Sequence, residues 1–252
     1  MTTNSLSAKG ERRRTAKAES GTNLLTAFQE IRELIVHGEL YPGSSIVEGD
    51  LAKRLDMSRT PIRGALHWLQ HEGYVCKNLN KSGMFVAPLT KDDGSELYSI
   101  IGRIEATAGR QIAVLSRQKR LAIADELRAI SQCLSNMTKA SYGGATGEIL
   151  DLDSSFHRLI VNSGAGPRLL VLHSAIEPQI ERYRRLYSDY IIDDLHLSIE
   201  EHEKIIGAIA GGNASEMEFA LKANWENGCQ RLGRVIDMFG DRGNSTAIGT
   251  GL

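Results

Sequence analysis

The sequence predicts a mainly α protein in two domains, on three observations. Apolar residues recur at three- and four-residue spacing over most of the chain. The β-prone signal is confined to two short runs, Tyr74-Val75-Cys76-Lys77 and Met84-Phe85-Val86-Ala87. The 252 residues suit two domains of ordinary size. Composition agrees, with 41% hydrophobic and 6% aromatic residues, a balance that favours helices packed through Leu, Ile and Ala.

Residues 1–20 are polar, carry Arg12, Arg13 and Arg14 in a row, and hold too little apolar surface to fold. They read as a disordered arm, either solvated or brushing phosphates. Leu24, Leu25, Phe28, Ile31, Leu34 and Ile35 mark a first helix, which His37-Gly38 stops. Pro42-Gly43 is a turn. Leu51, Ala52 and Leu55 mark a short second helix, with Glu48 or Asp50 placed to cap it or complement its dipole. A turn through Asp56-Met57-Ser58 leads to a third helix. Ser58 or Thr60 is its expected N-cap, Pro61 sits in its first turn, and Ile62, Ala65, Leu66 and Leu69 form its buried stripe. Gly73 ends it. The two β-prone runs then flank a polar tip from Asn78 to Gly83, a hairpin pattern closed by Pro88. Three helices followed by a two-stranded wing make residues 21–90 a winged helix-turn-helix.

After residue 90 the strand signal disappears. Amphipathic helices are expected at roughly 91–117, 119–140, 148–163, 166–187, 196–211 and 213–238, an all-α helical bundle over residues 91–239. Gly- and Pro-containing breaks separate several of them, such as Gly164-Ala165-Gly166-Pro167. Residues 240–252 read as a flexible tail.

No run of 18 apolar residues is present and the N-terminus lacks the apolar stretch of a signal peptide, so no membrane partner and a cytoplasmic location are expected. Cys76, Cys133 and Cys229 are odd in number and far apart. That argues against a disulfide framework or a cysteine zinc site, and each is expected to be a small buried hydrophobe. Net charge is −1, unevenly spread: residues 1–90 hold 12 basic and 9 acidic side chains, the remainder 18 and 22. A weakly basic front half fits a nucleic-acid partner.

In a helix-turn-helix the second helix enters the major groove and its first residues meet base edges. Ser58, Arg59, Thr60 and Arg63 stand there. Arg59 and Arg63 are four residues apart and project from one face. The planar arginine fork matches guanine O6 and N7, and the hydroxyls can donate to phosphates. Lys81, with Gly83 at the hairpin tip, is placed to touch the DNA backbone or the minor groove. Solvated surface charge is the competing reading.

The stretches Gly38-Glu39-Leu40-Tyr41-Pro42-Gly43, Leu51-Ala52-Lys53-Arg54-Leu55, Ser58 to Leu66, and Leu69 to Val75 resemble the signature of the GntR family of regulators. The resemblance implies a winged helix-turn-helix that binds a palindromic double-stranded operator as a homodimer, commonly as a repressor. It also implies that Arg59 and Arg63 read bases while Ser58 and Thr60 contact phosphates or bases. The chain departs from that family at Gly49, where some relatives carry an operator-reading arginine. Gly64 replaces the usual Glu, at about 1 kcal/mol of helix stability against Ala. The wing also has fewer arginines than many members.

In the second half, Asp153 and His157 lie four apart on one helix face, and His202 falls on a later helix. A bundle core can bring such faces together. One carboxylate with imidazoles suits Zn, Ni or Mn. Satisfied core histidines are the competing reading, under which His173 and His196 are placed as structural. The motifs Asp153-Ser154-Ser155-Phe156-His157 and Glu201-His202-Glu203-Lys204-Ile205-Ile206-Gly207-Ala208-Ile209 resemble the FCD-type sensor domain of one GntR subfamily, the FadR-like branch, over roughly residues 95–236. The resemblance implies a divalent metal held by one Asp and three His, with a small carboxylate effector completing the site. Asp153, His157 and His202 match three ligands; the fourth position is Asn224, whose amide is a poorer ligand for a transition metal. An effector-binding Arg is also implied on the first bundle helix, where Ile101 holds the usual position and Arg103 lies nearby.

Two other readings are open. One is a metal-dependent enzyme using Asp153, His157 and His202, with Glu201 or Glu203 as base. No phosphate loop or nucleophile elbow accompanies it. The other is an effector-independent DNA-binding protein, which would need a dry, ligand-free bundle core. A ligand-responsive regulator, not an enzyme, is the leading expectation.

Overall fold

In a computed structural model, the structure describes residues 23–77, 83–140 and 146–243. The chain divides into two units, Met1–Pro88 with Gly243–Leu252, and Leu89–Arg242. The arm at 1–20, Lys81 and the tail beyond Gly243 lie outside the described residues.

The first unit is built from α1 (residues 23–36), β1 (Ser45–Ile46), α2 (Glu48–Arg54), α3 (Arg59–His71), β2 (Val75–Lys77) and β3 (Met84–Val86). β1 was not expected. It is only two residues long, and it pairs antiparallel with β3 through Ser45↔Phe85 to give a sheet of order β1-β3-β2. The turn between α2 and α3 places Asp56 at φ 50, a left-handed conformation that Asp tolerates through its short polar side chain. Ile31, Ile62, Leu66, Leu69 and Tyr74 fill the core.

Two expectations for α3 change in the folded unit. Ser58 is the N-cap, yet its side chain makes no capping bond. Gly64 is more than a weak helix former: a Cβ there would come within 2.7 Å of Leu24 Cδ1, so the glycine lets α1 pack closely. Neither Glu48 nor Asp50 caps α2. Val47 holds that position, and the two acids lie in the first turn, where they complement the helix dipole.

The second unit comprises α4 (Lys91–Ala113), α5 (Arg117–Ala140), α6 (Thr146–Gly164), α7 (Pro167–Leu186), α8 (Ser188–Ile191), a 3-10 turn (Ile192–Asp194), α9 (Leu195–Gly211) and α10 (Ala214–Phe239). Thr90 caps α4 by accepting from the Asp93 amide, and Asn213 caps α10 by accepting from the Ser215 and Glu216 amides. α4 packs against α10, α6 and α7. Ile112, Phe156, Ile160, Ile205 and Leu221 form one core cluster; Ile101, Tyr183 and Tyr187 belong to a second.

The flexible tail was expected from residue 240, but residues 240–242 are tied down. Leu89 and Arg242 exchange backbone hydrogen bonds of 2.9 and 3.0 Å, and the Tyr187 hydroxyl donates to the Gly240 carbonyl at 2.9 Å. The cysteines are free as expected, but they are not buried hydrophobes: Cys133 is exposed, and Cys76 and Cys229 are half-buried.

Candidate functional site

In the first unit, Ser58, Arg59, Thr60 and Arg63 are all exposed along one edge of α3, opposite the buried Ile62, Ala65, Leu66 and Leu69. Arg63 donates to Glu48 at the start of α2, from Nη2 at 2.8 Å and from Nε at 3.1 Å. That hydrogen bond holds the Glu48 carboxyl below its usual range. The Arg59 guanidinium lies over Gly49, where a Cβ would be 3.4 Å from its Nη2. Gly83 is exposed at φ 110 at the start of β3's approach.

In the second unit, the fold brings Asp153 and His157 from α6 together with His202 from α9. All three are buried, and one ligand atom from each lies within 4.8 Å of the others. His202 Nε2 stands 3.5 Å from Asp153 Oδ1. Ligand atoms at two corners of a tetrahedron with bonds of roughly 2.1 Å are about 3.4 Å apart. Neither of these atoms has a hydrogen-bond partner, and the other His202 nitrogen has none either. Burying such orphaned acceptors is costly, and a shared cation would satisfy both. The residues present therefore fit a divalent ion.

The surroundings fix each donor. The His157 Nδ1 is 2.8 Å from Glu105 Oε2, which also accepts from Trp225 Nε1 at 2.8 Å. This carboxylate–histidine pair leaves Nε2 of His157 for an ion and fixes the ring. Burial alone would push the Glu105 carboxyl up, but the His157 charge and the hydrogen bonds from His157 and Trp225 hold it down at about 2. His157 is raised: burial opposes its charge, and Glu105 outweighs burial. Burial pushes His202 down to about 4, against the pull of Asp153, so its imidazole is neutral near pH 7, as a ligand must be. Its ring stacks on Phe156 at 3.8 Å. The other oxygen of Asp153 is taken by Arg184, at 2.5 Å. Burial raises the Asp153 carboxyl; Arg184 and His202 more than reverse this.

Asn224 lines the same cavity, of about 50 Å³, as Asp153, His157 and Arg184. Its amide nitrogen donates to Glu201 at 2.8 Å, so its oxygen is the side-chain atom left for an ion. Glu201 also accepts from Asn227 and, at two points, from Arg231. That network occupies the carboxylate the enzyme reading would need as a base; Glu203 is exposed. Arg103 lies elsewhere. It is exposed, bonds Ser99 of its own helix, and lines a separate groove between α4 and α10. His173 is buried with Nε2 3.6 Å from Glu105, and His196 bonds the Asp193 carbonyl.

Sequence reasoning missed Glu105, Arg184 and Trp225. A signal existed for Glu105: it interrupts the apolar stripe Tyr98, Ile101, Ala108, Ile112 of α4, where a lone buried carboxylate demands a partner.

The model for gntR-family bacterial regulatory proteins matches residues 24–86, and the FCD domain model matches residues 96–227. The Nta operon transcriptional regulator of Aminobacter aminovorans is 30% identical over 77% of this chain and 87% of the relative. The gluconate operon transcriptional repressor of Bacillus licheniformis is 26% identical over 83% of this chain and 84% of its own. Among solved structures, E. coli McbR/YncC superposes with a TM-score of 0.66 at 18% identity, covering 86% of this chain and 98% of that one; at this identity the likeness shows the fold. Among the described residues no helix is long and apolar enough to cross a membrane.

Proposed function

This chain belongs to the GntR family of bacterial regulatory proteins, with an FCD domain as its second unit, and on that premise we propose that it is a metal-dependent sensor of a small carboxylate that represses by binding a palindromic operator as a homodimer. The premise itself makes it a DNA-binding transcriptional regulator with a ligand-sensing domain. The remainder is our reading.

Its DNA half rests on the exposed edge of α3. Arg59 and Arg63 read base edges, Ser58 and Thr60 meet phosphates, and Gly83 with Lys81 belongs to the wing's DNA contact. Two copies with recognition helices about one DNA turn apart explain a two-fold operator. Selection of binders from random duplex DNA tests this half. The expected outcome is a consensus of two inverted half-sites about 10 base pairs apart, centre to centre. Enrichment of a single asymmetric site would overturn the dimeric reading.

The observation that carries the sensing half is the facing pair of buried, unpartnered atoms, His202 Nε2 and Asp153 Oδ1. Asp153, His157 and His202 would hold Zn, Ni or Mn, with the Asn224 oxygen as a weaker fourth donor. The bound ion would supply a positive centre that attracts a carboxylate. Effector relieves repression if it binds the DNA-incompetent arrangement more tightly, since a ligand shifts populations only by differential affinity. Glu105 supports the ring of His157. Glu105→Gln is therefore expected to weaken metal binding by roughly 10- to 100-fold, read by competition with a chelator. An unchanged affinity would remove the carboxylate from the site's design.

A further inference from the structure

The segment that leaves the first unit is firmly held. Linkers between domains are ordinarily exposed and flexible. Here Leu89 is 1% exposed, and the backbone amides of three successive residues are all bonded. Leu89 donates to the Arg242 carbonyl at 2.9 Å, Thr90 to the Tyr183 hydroxyl at 3.1 Å, and Lys91 to Asp241 Oδ1 at 3.1 Å. The Lys91 ammonium adds a bond of 2.7 Å to Asp237, in the last turn of α10. Two of these partners, Asp241 and Arg242, lie in the short segment after α10.

That segment is itself fixed. Gly240, at φ 76, ends α10, and Tyr187 holds it through its hydroxyl. The Arg242 guanidinium lies over the Tyr187 ring, 5.5 Å from its centre. The Arg242 amide returns a bond to the Leu89 carbonyl, which makes the two segments an antiparallel bridge. One residue later the chain is back in the first unit, where Gly243 at φ 81 meets Gly43 at φ 77. A Cβ on Gly43 would stand 2.6 Å from Gly243 Cα, and one on Gly243 would stand 2.4 Å from the Pro42 carbonyl carbon. Neither position accepts a side chain while the other stays in place.

The chain therefore passes between the units twice, at Pro88-Leu89 and again at Arg242-Gly243, and the two passes are hydrogen-bonded to each other. We propose that residues 240–243 are a second tether, and that this two-stranded joint restricts the movement of the DNA-binding unit. A single flexible strand leaves a domain free to swing, whereas a stiffer connection limits its reach. The consequence falls on DNA binding by two heads. Once one head is bound, the effective concentration of the other is set by the stiffness and span of what joins them. Releasing the second strand lowers it without touching the surface of α3. This rests on the reading of two copies on a two-fold operator.

The test compares the full-length protein with a chain ending at Phe239 and with Gly243→Val, which keeps the bridge to Leu89 and blocks only the seat on Pro42-Gly43. Fluorescence anisotropy at fixed salt gives the affinity for a selected duplex with two half-sites and for the same duplex with one half-site scrambled. Hydrogen exchange gives the protection of the Leu89, Thr90 and Lys91 amides. In the shortened chain, exchange at these amides is expected to rise about tenfold or more. In both variants the two-site advantage is expected to fall roughly tenfold, with binding to the single half-site unchanged. An advantage retained by either variant, or unaltered exchange in the shortened chain, overturns the second tether. An equal loss on the single half-site also overturns it, because the damage then lies in the head itself. A full-length protein without any two-site advantage overturns the dimeric reading, and the role of the tether with it.

Discussion

Replacing Arg59 and Arg63 together with alanine is expected to reduce operator affinity by on the order of a hundredfold or more, with no loss of fold. Each bidentate arginine–guanine contact discriminates by about 1–3 kcal/mol, and two are removed. Both side chains are exposed, so the core beneath α3 is untouched. The pair between Arg63 and Glu48 does not compete seriously. It is a surface pair with side chains 61% and 33% exposed, and such pairs contribute about 0–1 kcal/mol. On the proposed reading DNA is therefore expected to take Arg63 from Glu48. Glu48→Gln is expected to tighten binding to operator and to unrelated DNA alike, because it frees the guanidinium and removes a negative charge beside it. Fluorescence anisotropy on labelled duplexes at fixed salt measures both. Undiminished binding by the double variant would sink α3 as the recognition helix.

His202→Leu is expected to abolish metal binding and yet raise the melting temperature of the metal-free protein. His202 is fully buried, held neutral by burial, and leaves both ring nitrogens unpartnered. An unsatisfied buried polar group costs about 1–3 kcal/mol. In a protein of this size each 1 kcal/mol moves the melting temperature by roughly 2–4 °C. A leucine against Phe156 removes the penalty. A histidine kept at that cost is explained by a ligand it binds. Asp153→Ala is a worse probe, because it strands the buried Arg184 guanidinium, and breaking a buried pair costs roughly 3–5 kcal/mol. Thermal melts in chelator separate the two. A large destabilisation by His202→Leu would mean that the imidazole is a structural element of the core.

The parts legible in the sequence were those with local causes. Helical periodicity, the stop at Gly38 and the break at Gly164-Ala165-Gly166-Pro167 needed only neighbouring residues, and so did the placing of Asp153 and His157 one turn apart on one helix face. His202 was reachable through its motif. What was not legible depends on residues far apart in sequence. β1 exists because two residues after a turn find β3. Residues 240–242 are ordered through a bridge to Leu89. Gly64 reads as a defect in α3 until Leu24 of α1 is packed against it. Arg184 and Trp225 gain their roles across helices, from Asp153 and from Glu105. Arg103, singled out by likeness to a neighbouring position, lines a groove between α4 and α10, a placement that depends on packing between helices far apart in sequence.

Elemental analysis of the freshly purified protein beside the His202→Leu variant tests the sensor site most directly. Both are first stripped with chelator and then re-exposed to Zn, Ni and Mn. The expected result is about one ion per chain in the parent protein, with preference following imidazole-rich sites, and none in the variant. Equal metal content in the two proteins, or none in either after reloading, would contradict a metal sensor built from Asp153, His157 and His202.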